Sequence, residues 1–495
     1  MTTRIFILRG PGLTVSAILG LFGCDGPASS APPAMDAAPE VSADAATDQG
    51  ADTAVDAPLL PGLEGPPTFE DRNPDPRVVE VDLVASAGDA ELVAGRMTRS
   101  LLYNNRTPGP TLHARVGDRV RVHFRNDLQE PTTIHWHGLR IPAEMDGNPM
   151  VQPPVMPGGT FDYEFVVRDP GTFWYHPHVN TIEQLDRGLY GAIVVHEAEP
   201  PRFTAERVFV LDDVRLDARG AIAPFASGGH DAVHGRAGNY LLTNGAAARA
   251  SLTAPRGSIE RWRIVNAAGS RVLTLSLQGA SWRVVGTDGG LLPTAWEPSR
   301  LQVAPGQRFD LEVTLNDASG VTELLAHVLT QTDAGVQTVP RALVELRYEG
   351  DTTATPPVYP TVTLPPRAES PMLQTIRLGA NTDGGLAFTI NGRVHHEHAA
   401  PMERYVQGEP VRFTIINEIG PEHPFHLHGQ FFQIVSRGGR DADELGLKDT
   451  VQLGPMERVV IETRFENPGR WMYHCHIPEH AEHGMMAELE VTPAP

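Results

Sequence analysis

Closely spaced histidines give this chain its most evident chemistry. Four short segments combine histidine with one cysteine and one methionine. They are His135-Trp136-His137, His176-Pro177-His178, His423-Pro424-Phe425-His426-Leu427-His428, and His474-Cys475-His476-Ile477-Pro478-Glu479-His480 followed by Met485. Imidazole suits copper in general, and a thiolate with a weak axial thioether makes a copper site for electron transfer. These residue types therefore point to copper redox chemistry.

Strand geometry explains why the spacing is useful. Side chains alternate between the two faces of a β-strand. In His474-Cys475-His476 the two histidines would face one way and the cysteine the other, so one segment can contact two metal sites. A few backbone bonds join the cysteine sulfur to either histidine and offer a path for electrons.

The four clusters resemble the copper-binding motifs of the multicopper oxidases, the family of laccases, bilirubin oxidases and bacterial cuprous oxidases. The resemblance extends from about Val78 to Val491, lacks no ligand, and implies four coppers per chain. It assigns the type 1 copper to His423, Cys475 and His480 with Met485 as axial ligand, the type 2 copper to His135 and His426, and the two type 3 coppers to His137, His176 and His476 and to His178, His428 and His474.

The resemblance also implies roles in catalysis. The type 1 copper would accept electrons and the eight-histidine cluster would reduce O2, with Cys475, His474 and His476 connecting the two. Asp146 matches the position of an acidic residue that relays protons in bacterial members, and a turn aspartate before Gly147 is the alternative. Many of these members also carry glutamate directly after the ligand equivalent to His480. Here that position is alanine, followed by Glu482, so a second proton route of the family type is in doubt.

The remaining histidines and methionines give weaker signals. His395, His396 and His398 form one group, and His230 and His234 form another in a glycine-rich stretch. Either group could hold a further metal, although exposed loop histidines are the simpler interpretation. Met486 follows Met485 directly, and we expect it to be a core residue.

Composition restricts the class of protein. The chain has 495 residues, which suggests about three domains, and a net charge of −21, which argues against nucleic acid as a partner. We expect a monomer. The two cysteines, Cys24 and Cys475, provide no disulfide framework.

The first residues predict export. Arg4 and Arg9 precede an apolar run, residues 13–22, which is too short to span a bilayer. Its end resembles the lipobox of bacterial lipoproteins, with Cys24 as the lipidated residue, although a plain secretory signal is the alternative. We therefore expect a signal over 1–23, an Ala/Pro/Asp-rich disordered tether over 24–67, and a periplasmic or envelope location with a lipid anchor.

An internal repeat predicts the architecture. Gly117 to Asn126 is echoed by Gly257 to Asn266 and by Gly408 to Asn417, each alternating apolar with polar residues as a half-buried strand does. Pro-Gly turns recur in step before a second strand. We predict an all-β protein of three cupredoxin-like antiparallel sandwiches with Greek-key topology, at 68–198, 199–356 and 357–495. The first and third would share the metal site, and the second would space them.

Three functions compete. The leading one is a laccase-like oxidase that couples one-electron oxidation of phenols or aromatic amines to reduction of O2 to water. The alternative is a metallo-oxidase of Cu(I) in envelope copper tolerance, but only 12 methionines are present and none form a Met-rich insertion. A non-enzymatic scaffold of the same fold is the third, and it conflicts with the complete ligand set.

Overall fold

A computed structural model describes residues 59–61, 65–225, 228–332, 335–382, 385–395, 400–442 and 444–495. The predicted export signal and Cys24 lie outside these residues, as do His396 and His398. Within the predicted tether, Leu59–Pro61 form a short strand, β1, that pairs in parallel with residues 249–251. This part of the tether is therefore paired with a sheet and is not free. A strand at the edge of a sheet has unpaired backbone N–H and C=O groups, and β1 pairs with such a strand.

Three pairs of sheets follow one another along the chain. The first pair has β2 (Val78–Val93), β3 (Arg96–Tyr103), β5 (Arg119–Asn126) and β7 (Thr160–Val166) in one sheet and β4 (Gly109–Arg115), β6 (His135–His137), β8 (Gly171–His176) and β9 (Gly191–His196) in the other. The second has β10 (Ala205–Val214), β11 (Tyr240–Thr243), β13 (Ile259–Asn266), β15 (Ser281–Thr287), β16 (Gly290–Trp296) and β18 (Arg308–Thr314) in one sheet and β1, β12 (Arg249–Arg256), β14 (Leu273–Gln278), β17 (Leu301–Val303), β19 (Val321–Thr332) and β20 (Gly335–Asp351) in the other. The third has β21 (Met372–Asn381), β22 (Ala387–Ile390), β24 (Pro410–Asn417), β26 (Phe432–Arg437), β27 (Arg440–Asp441) and β29 (Arg458–Arg464) in one sheet and β23 (Glu403–Val406), β25 (His423–Leu427), β28 (Thr450–Leu453), β30 (Gly469–Cys475) and β31 (Met486–Thr492) in the other.

Each pair of sheets encloses its own apolar core. Buried residues from opposite sheets that share a core include Val122 with Ile193, Trp262 with Val344, and Ile415 with Leu489. Most strand pairs are antiparallel, while the first long strand of each sandwich, β2, β10 or β21, runs parallel to the repeat strand. The predicted all-β fold of three sandwiches is confirmed, and the residue boundaries of the domains stay a prediction.

The sequence repeat becomes one structural unit used three times. Strands β5, β13 and β24 each begin two residues after the repeat glycine and end at the repeat asparagine. The amide groups of Asn126, Asn266 and Asn417 each donate to two backbone carbonyls and accept from the N–H two residues ahead. This contact ends the strand and fixes the following loop, which leads to a histidine strand after Asn126 and Asn417.

Helices are few and short among the described residues. They are α1 (Thr181–Asp186), α2 (His230–His234) and α3 (Pro478–Glu482), and a 3-10 turn covers Ala143–Met145. Both α1 and α2 contact α3, which contains His480. Three segments that are distant in sequence therefore meet next to this histidine. Within the part of the chain that the structure describes, none of the helices has the length and apolar character needed to cross a bilayer.

Candidate metal centre

The first and third sandwiches each present histidines on two neighbouring strands. In the first, β6 pairs with β8 so that His135 lies opposite His176. In the third, β25 pairs with β30 so that His426 lies opposite His474. Directly opposed residues in an antiparallel pair have Cβ atoms about 5 Å apart. Each pairing therefore gathers ligands that are far apart in sequence.

The two sets of rings meet at one place. His135 stacks on His428 with ring centroids 3.9 Å apart, and His137 stacks on His426 at 3.8 Å. The structure brings together all eight histidines that the resemblance assigns to type 2 and type 3 copper, namely His135, His137, His176, His178, His426, His428, His474 and His476. We call this group the histidine cluster.

In five of these rings the outer nitrogen, Nδ1, donates to a protein acceptor. Nδ1 of His428 donates to Oδ2 of Asp146 at 2.8 Å, and Nδ1 of His474 donates to the carbonyl of Cys475 at 2.7 Å. Backbone carbonyls likewise accept from Nδ1 of His135, His176 and His426. Such contacts fix the tautomer and the orientation of a metal-binding imidazole.

The inner nitrogens lack hydrogen-bond partners. Nε2 of His428 and Nε2 of His474 lie 3.1 Å apart. Because both rings carry their proton on Nδ1, two lone pairs face each other. Other buried ring nitrogens without a partner are Nε2 of His135, His176, His178 and His426, Nδ1 of His137, and both nitrogens of His476. Buried polar atoms are normally paired, so this convergence of lone pairs fits a metal, and the donor type fits copper.

Burial keeps these rings neutral. Burial, reinforced by neighbouring histidines, lowers the pKa of His474 to about 3. The same causes hold the pKa of His176, His178 and His428 well below the usual value. Neutral imidazole is the form that binds a metal, so the cluster is ready to bind at neutral pH.

Cys475 points into a second set of ligands. Its Sγ lies 3.5 Å from Nδ1 of both His423 and His480, and these two nitrogens are 3.1 Å apart. Metal–nitrogen bonds of about 2.0 Å and metal–sulfur bonds of about 2.3 Å place ligand atoms at such separations. Burial raises the pKa of the Cys475 thiol, so the thiolate needs a bound metal. We call these three residues the cysteine site.

The two adjacent methionines have different surroundings. Met485 is buried in the same core as Cys475, its carbonyl accepts from the cysteine N–H at 3.1 Å, and its N–H donates to the carbonyl of His480 at 2.9 Å. These backbone contacts place Met485 next to the cysteine site, and its role as axial ligand stays a prediction. The prediction that Met486 is a core residue is wrong. Met486 is half-buried and lines a cavity, because it lies opposite His474 across β30 and β31.

A helix from the second sandwich covers the cysteine site. Nε2 of His480 donates to the carbonyl of Val233, in α2, at 2.9 Å. The ring is therefore held at both nitrogens. His230 and His234 lie on the same helix with ring centroids 4.7 Å apart, and both are exposed. Sequence reasoning placed this pair in a loop and did not connect it with the cysteine site.

Asp146 is buried at the end of the 3-10 turn, before Gly147. Its Oδ2 accepts from His428, and its Oδ1 lies 3.4 Å from Nδ1 of His135. It is therefore both a turn residue and a carboxylate in contact with the histidine cluster. Its role as a proton relay stays a prediction. Glu482 is exposed, accepts from the N–H of Ile182, and lines the cavity that reaches the cluster.

A buried ion pair beside the cluster was missed by sequence reasoning. Asp449 accepts from Nε2 of His137 at 3.1 Å and from the Arg308 guanidinium at 2.8 and 2.6 Å. Burial would raise the pKa of Asp449, but Arg308 and His137 outweigh it and hold this pKa well below the usual range. The available signal was a charged pair, Lys448-Asp449, directly before the apolar strand β28, since buried charges require partners. The partner itself lies 141 residues away.

The second sandwich also approaches the cluster through a turn. Gly306 has φ of +83°, and a Cβ atom there would lie 2.9 Å from His476 and 3.1 Å from His137. Only glycine combines this backbone conformation with this contact. The second domain therefore packs directly against the ligands of both metal sites, in addition to spacing the other two.

Fold and site together define a class of copper oxidoreductase, in which β-sandwiches hold a cysteine site a few bonds from a histidine cluster. The multicopper oxidase family description matches residues 85–200, 218–350 and 365–495. The chain belongs to the multicopper oxidase family. It is a copper-dependent oxidoreductase that uses O2 as electron acceptor, so the scaffold hypothesis is wrong.

Related proteins agree with this assignment. The chain is 32% identical over 438 residues to multicopper oxidase MmcO of Mycobacterium tuberculosis, covering 80% of this chain and 84% of that protein. A multi-copper oxidase structure from Pseudomonas thermotolerans matches with a TM-score of 0.74 and 32% identity, over 84% of this chain and 99% of that chain. A multicopper oxidase from Campylobacter jejuni, described as a metallo-oxidase, matches with a TM-score of 0.77 and 26% identity, over 89% and 96%. Laccases are also among the matched proteins.

Proposed function

We propose that the protein is a laccase-like oxidase. Four molecules of a phenol or aromatic amine each give up one electron and one proton, and one O2 takes up the four electrons and four protons to give two waters. Bound copper would supply one-electron acceptance at the cysteine site and O2 reduction at the histidine cluster. We propose four coppers, with the type 1, type 2 and type 3 ligands as assigned from the sequence.

The observation that carries the proposal is a cavity beside the cysteine site. Its volume is about 180 Å³, and Ile477, Pro424 and Val272 form apolar parts of its wall. Among the described residues, no methionine lines it. A small aromatic ring suits such a wall, whereas thioethers are the ligands expected for Cu(I). We call it the donor cavity.

Two polar groups in the donor cavity suit a phenol. Glu422 directly precedes the ligand His423, accepts from Nε2 of Gln452 at 2.7 Å, and has its pKa raised by partial burial. A carboxylate beside a bound phenol can take its hydroxyl proton as the electron leaves. His234, from α2, lines the same cavity and offers a second polar contact.

The same two groups favour a second candidate function. Imidazole and carboxylate are also ligands for a divalent or monovalent metal donor, and the Campylobacter jejuni neighbour is described as a metallo-oxidase. In that case His234 and Glu422 would bind the metal that is oxidised, and the protein would act in copper tolerance.

Steady-state rates on a panel of phenols and on Cu(I), measured at equal copper loading and with no added Cu(II), test the proposal. We expect phenols to be oxidised under these conditions and Glu422→Gln to raise their KM or lower kcat. Glu418→Gln, an exposed carboxylate earlier in the same loop, is the matched control. Phenol oxidation that requires excess Cu(II), with rapid Cu(I) oxidation throughout, would establish the metallo-oxidase function instead.

We also propose that the protein is exported, held at the cell envelope by lipid on Cys24, and monomeric. The sequence of residues 1–24 supports export and the lipid anchor. Mass spectrometry of the mature N-terminus should show a diacylglyceryl group on Cys24, and Cys24→Ala should release the protein from membranes. A mature N-terminus beyond residue 24 would contradict the lipid anchor, and light scattering tests the monomer.

A further inference from the structure

A cavity of about 380 Å³ reaches the histidine cluster by a route separate from the donor cavity. His176, His178 and His474 lie in its wall. Asn180 and Glu482 also line it and are exposed. The cavity therefore connects solvent with cluster ligands.

Three methionines line this cavity next to the ligands. Met472 lies two residues before His474 on β30, so both side chains leave the same face of the strand. Met486 lies directly opposite His474 on β31. Met150 comes from the first sandwich and is half-buried, as Met486 is. Thioethers from two sandwiches thus surround the approach to one cluster histidine.

A second cavity continues the path outward. Its volume is about 340 Å³, and its wall includes Met402. His395 lines both cavities, and its backbone N–H donates to the carbonyl of Gly484 at 3.1 Å. The Met402 sulfur lies 3.7 Å from the hydroxyl of Tyr473, on the ligand strand β30. His395 therefore joins a cavity lined by the thioether of Met402 to the cavity whose wall holds Met150, Met472 and Met486 beside the cluster.

This sequence of ligands selects for one kind of ion. Thioether sulfur and neutral imidazole bind Cu(I), whereas hard cations prefer oxygen. Four of the twelve methionines of the chain line these two cavities. We propose that Met402, His395, Met486, Met150 and Met472 form a loading path that carries Cu(I) from the surface to the histidine cluster during assembly of the metal centre.

The proposal rests on the copper-dependent function but not on the identity of the electron donor. The ion moves by ligand exchange, in which each new bond to sulfur or nitrogen forms as the previous one breaks, and no electron is transferred. The simpler explanation is that methionine fills irregular gaps in packing. Leucine fills nearly the same volume without the sulfur, so Met→Leu exchange separates the two explanations.

Copper loading of the metal-free full-length protein tests the path. Wild type and the Met150→Leu/Met486→Leu double variant are mixed anaerobically with a Cu(I)–chelator complex, and copper bound per chain is followed by metal analysis. After loading, air is admitted and the absorption of each site is recorded. We expect the cysteine site to fill at the wild-type rate and the histidine cluster at least about tenfold more slowly, the effect of about 1.4 kcal/mol of lost ligand stabilisation.

The controls identify the role of sulfur. Met97→Leu/Met156→Leu removes two exposed methionines, at 64% and 60% exposure, and should load as wild type. In the Met150→Leu/Met486→Leu variant, loading with a Cu(II) salt should be slowed much less than loading with Cu(I). Cluster filling by Cu(I) at the wild-type rate would overturn the proposal, and so would equal slowing for Cu(I) and Cu(II), which indicates a change in cavity shape. Since no electron donor is oxidised in this assay, its outcome is independent of the proposal that the protein is a laccase-like oxidase.

A direct measurement on the copper-loaded wild-type protein complements the variants. Ag(I) shares the ligand preference of Cu(I) and is not oxidised by O2. With methionine methyl groups labelled by carbon-13, we expect added Ag(I) to shift the resonances of Met150, Met402 and Met486 and to leave those of Met97 and Met156 unchanged. Assignment follows from the leucine variants. Unshifted resonances for the three path methionines would overturn the proposal.

Discussion

Asp146 can serve the histidine cluster in two ways, and its two oxygens separate them. Oδ2 accepts from Nδ1 of His428 and so orients that ring. Oδ1 is buried without a hydrogen-bond partner and lies 3.4 Å from Nδ1 of His135. Asparagine retains an oxygen that can accept from His428 but does not carry a proton readily, so exchanging the acid for the amide separates orientation from proton transfer.

We expect Asp146→Asn to keep its copper and to lose O2 reduction by about two to four orders of magnitude, the usual effect of removing a positioned acid or base. Stopped-flow measurements should show normal reduction by the donor and slow reoxidation by O2. Asp146→Ala, which also removes the contact with His428, should lose copper from the cluster as well. Reoxidation of the asparagine variant at wild-type speed would leave Asp146 with the orienting role alone.

Cys475 is the residue on which the cysteine site depends. We expect Cys475→Ser to lose the blue absorption and the oxidase activity, because a hydroxyl does not replace the thiolate as a copper ligand. The histidine cluster should still bind copper, because its ligands are imidazole nitrogens and do not include the Cys475 side chain. Metal analysis should therefore give about one copper fewer than wild type. A blue variant, or one free of all copper, would contradict this separation of the sites.

At the scale of elements, the repeated asparagine at the end of β5, β13 and β24 shows how the fold positions ligands. Asn417 ends β24, and the loop after it leads to His423, whereas Asn266 makes the same hydrogen bonds in the second sandwich and leads to no ligand. Asn417 and Asn266 therefore allow the same structural contact to be compared with and without a nearby metal ligand.

We expect Asn417→Ala and Asn266→Ala to lower the free energy of unfolding by similar amounts, about 1–3 kcal/mol, because each leaves buried backbone groups unpaired. Only Asn417→Ala should also reduce the blue absorption per bound copper, by loosening the loop before His423. Thermal unfolding and absorption spectra of the pair test this. Equal spectra in the two variants would show that the loop holds His423 without the asparagine.

The contact of α1 with the segment after α2 predicts a pH effect. Asp186, at the end of α1, receives a hydrogen bond from Nε of Arg236 at 3.1 Å. Burial raises the pKa of Asp186 to about 6, against the opposing effect of Arg236. The folded protein therefore binds more protons than the unfolded chain between about pH 4 and pH 6, so this group reduces stability as pH rises through that interval.

We expect Asp186→Asn to remove this loss of stability with rising pH. Between pH 4 and pH 7 the melting temperature of the variant should rise relative to that of wild type. The corresponding gain in the free energy of unfolding should be no more than about 3 kcal/mol. Glu183→Gln, on the same helix and at its surface, should give a profile parallel to wild type. Parallel profiles for Asp186→Asn as well would show that Asp186 is ionised throughout this interval.

Elements whose residues carry their own pattern were predictable. The repeat strands alternate apolar and polar residues, and the histidine segments show which residues share a strand face. Helix α2 was not predictable, since five residues of glycine-rich context carry no helical periodicity and its contact with His480 depends on tertiary packing. The same holds for Met486, whose place beside His474 is set by the register between β30 and β31.

At the scale of the whole molecule, Arg308 links all three sandwiches. It belongs to the second, donates to the carbonyl of Thr172 in the first, and pairs with Asp449 in the third. Its side chain is fully buried. The sequence predicted that the first and third sandwiches share the metal site, but an ion pair between residues so far apart could not be seen in it.

We expect Arg308→Met to destabilise the protein by about 3–5 kcal/mol, because it leaves the buried carboxylate of Asp449 without its cation. Copper should also be lost from the cluster, since Asp449 contacts His137. Arg283→Met, which removes a partly exposed arginine paired with Glu312, should cost no more than about 1 kcal/mol. Thermal unfolding and metal content measure both effects. Equal losses of stability in the two variants would contradict the conclusion that the buried Arg308 ion pair stabilises the contact between the sandwiches.

The contact between His480 and the carbonyl of Val233 has a consequence for the speed of electron transfer. A transferred electron is slowed when the surrounding atoms must first rearrange to suit the new charge. The His480 ring has one nitrogen directed at the cysteine site and the other anchored to backbone, so it has little freedom to rotate or shift. A ligand that keeps its position in both oxidation states lowers the reorganisation energy, and the electron can then move quickly under a small difference in potential.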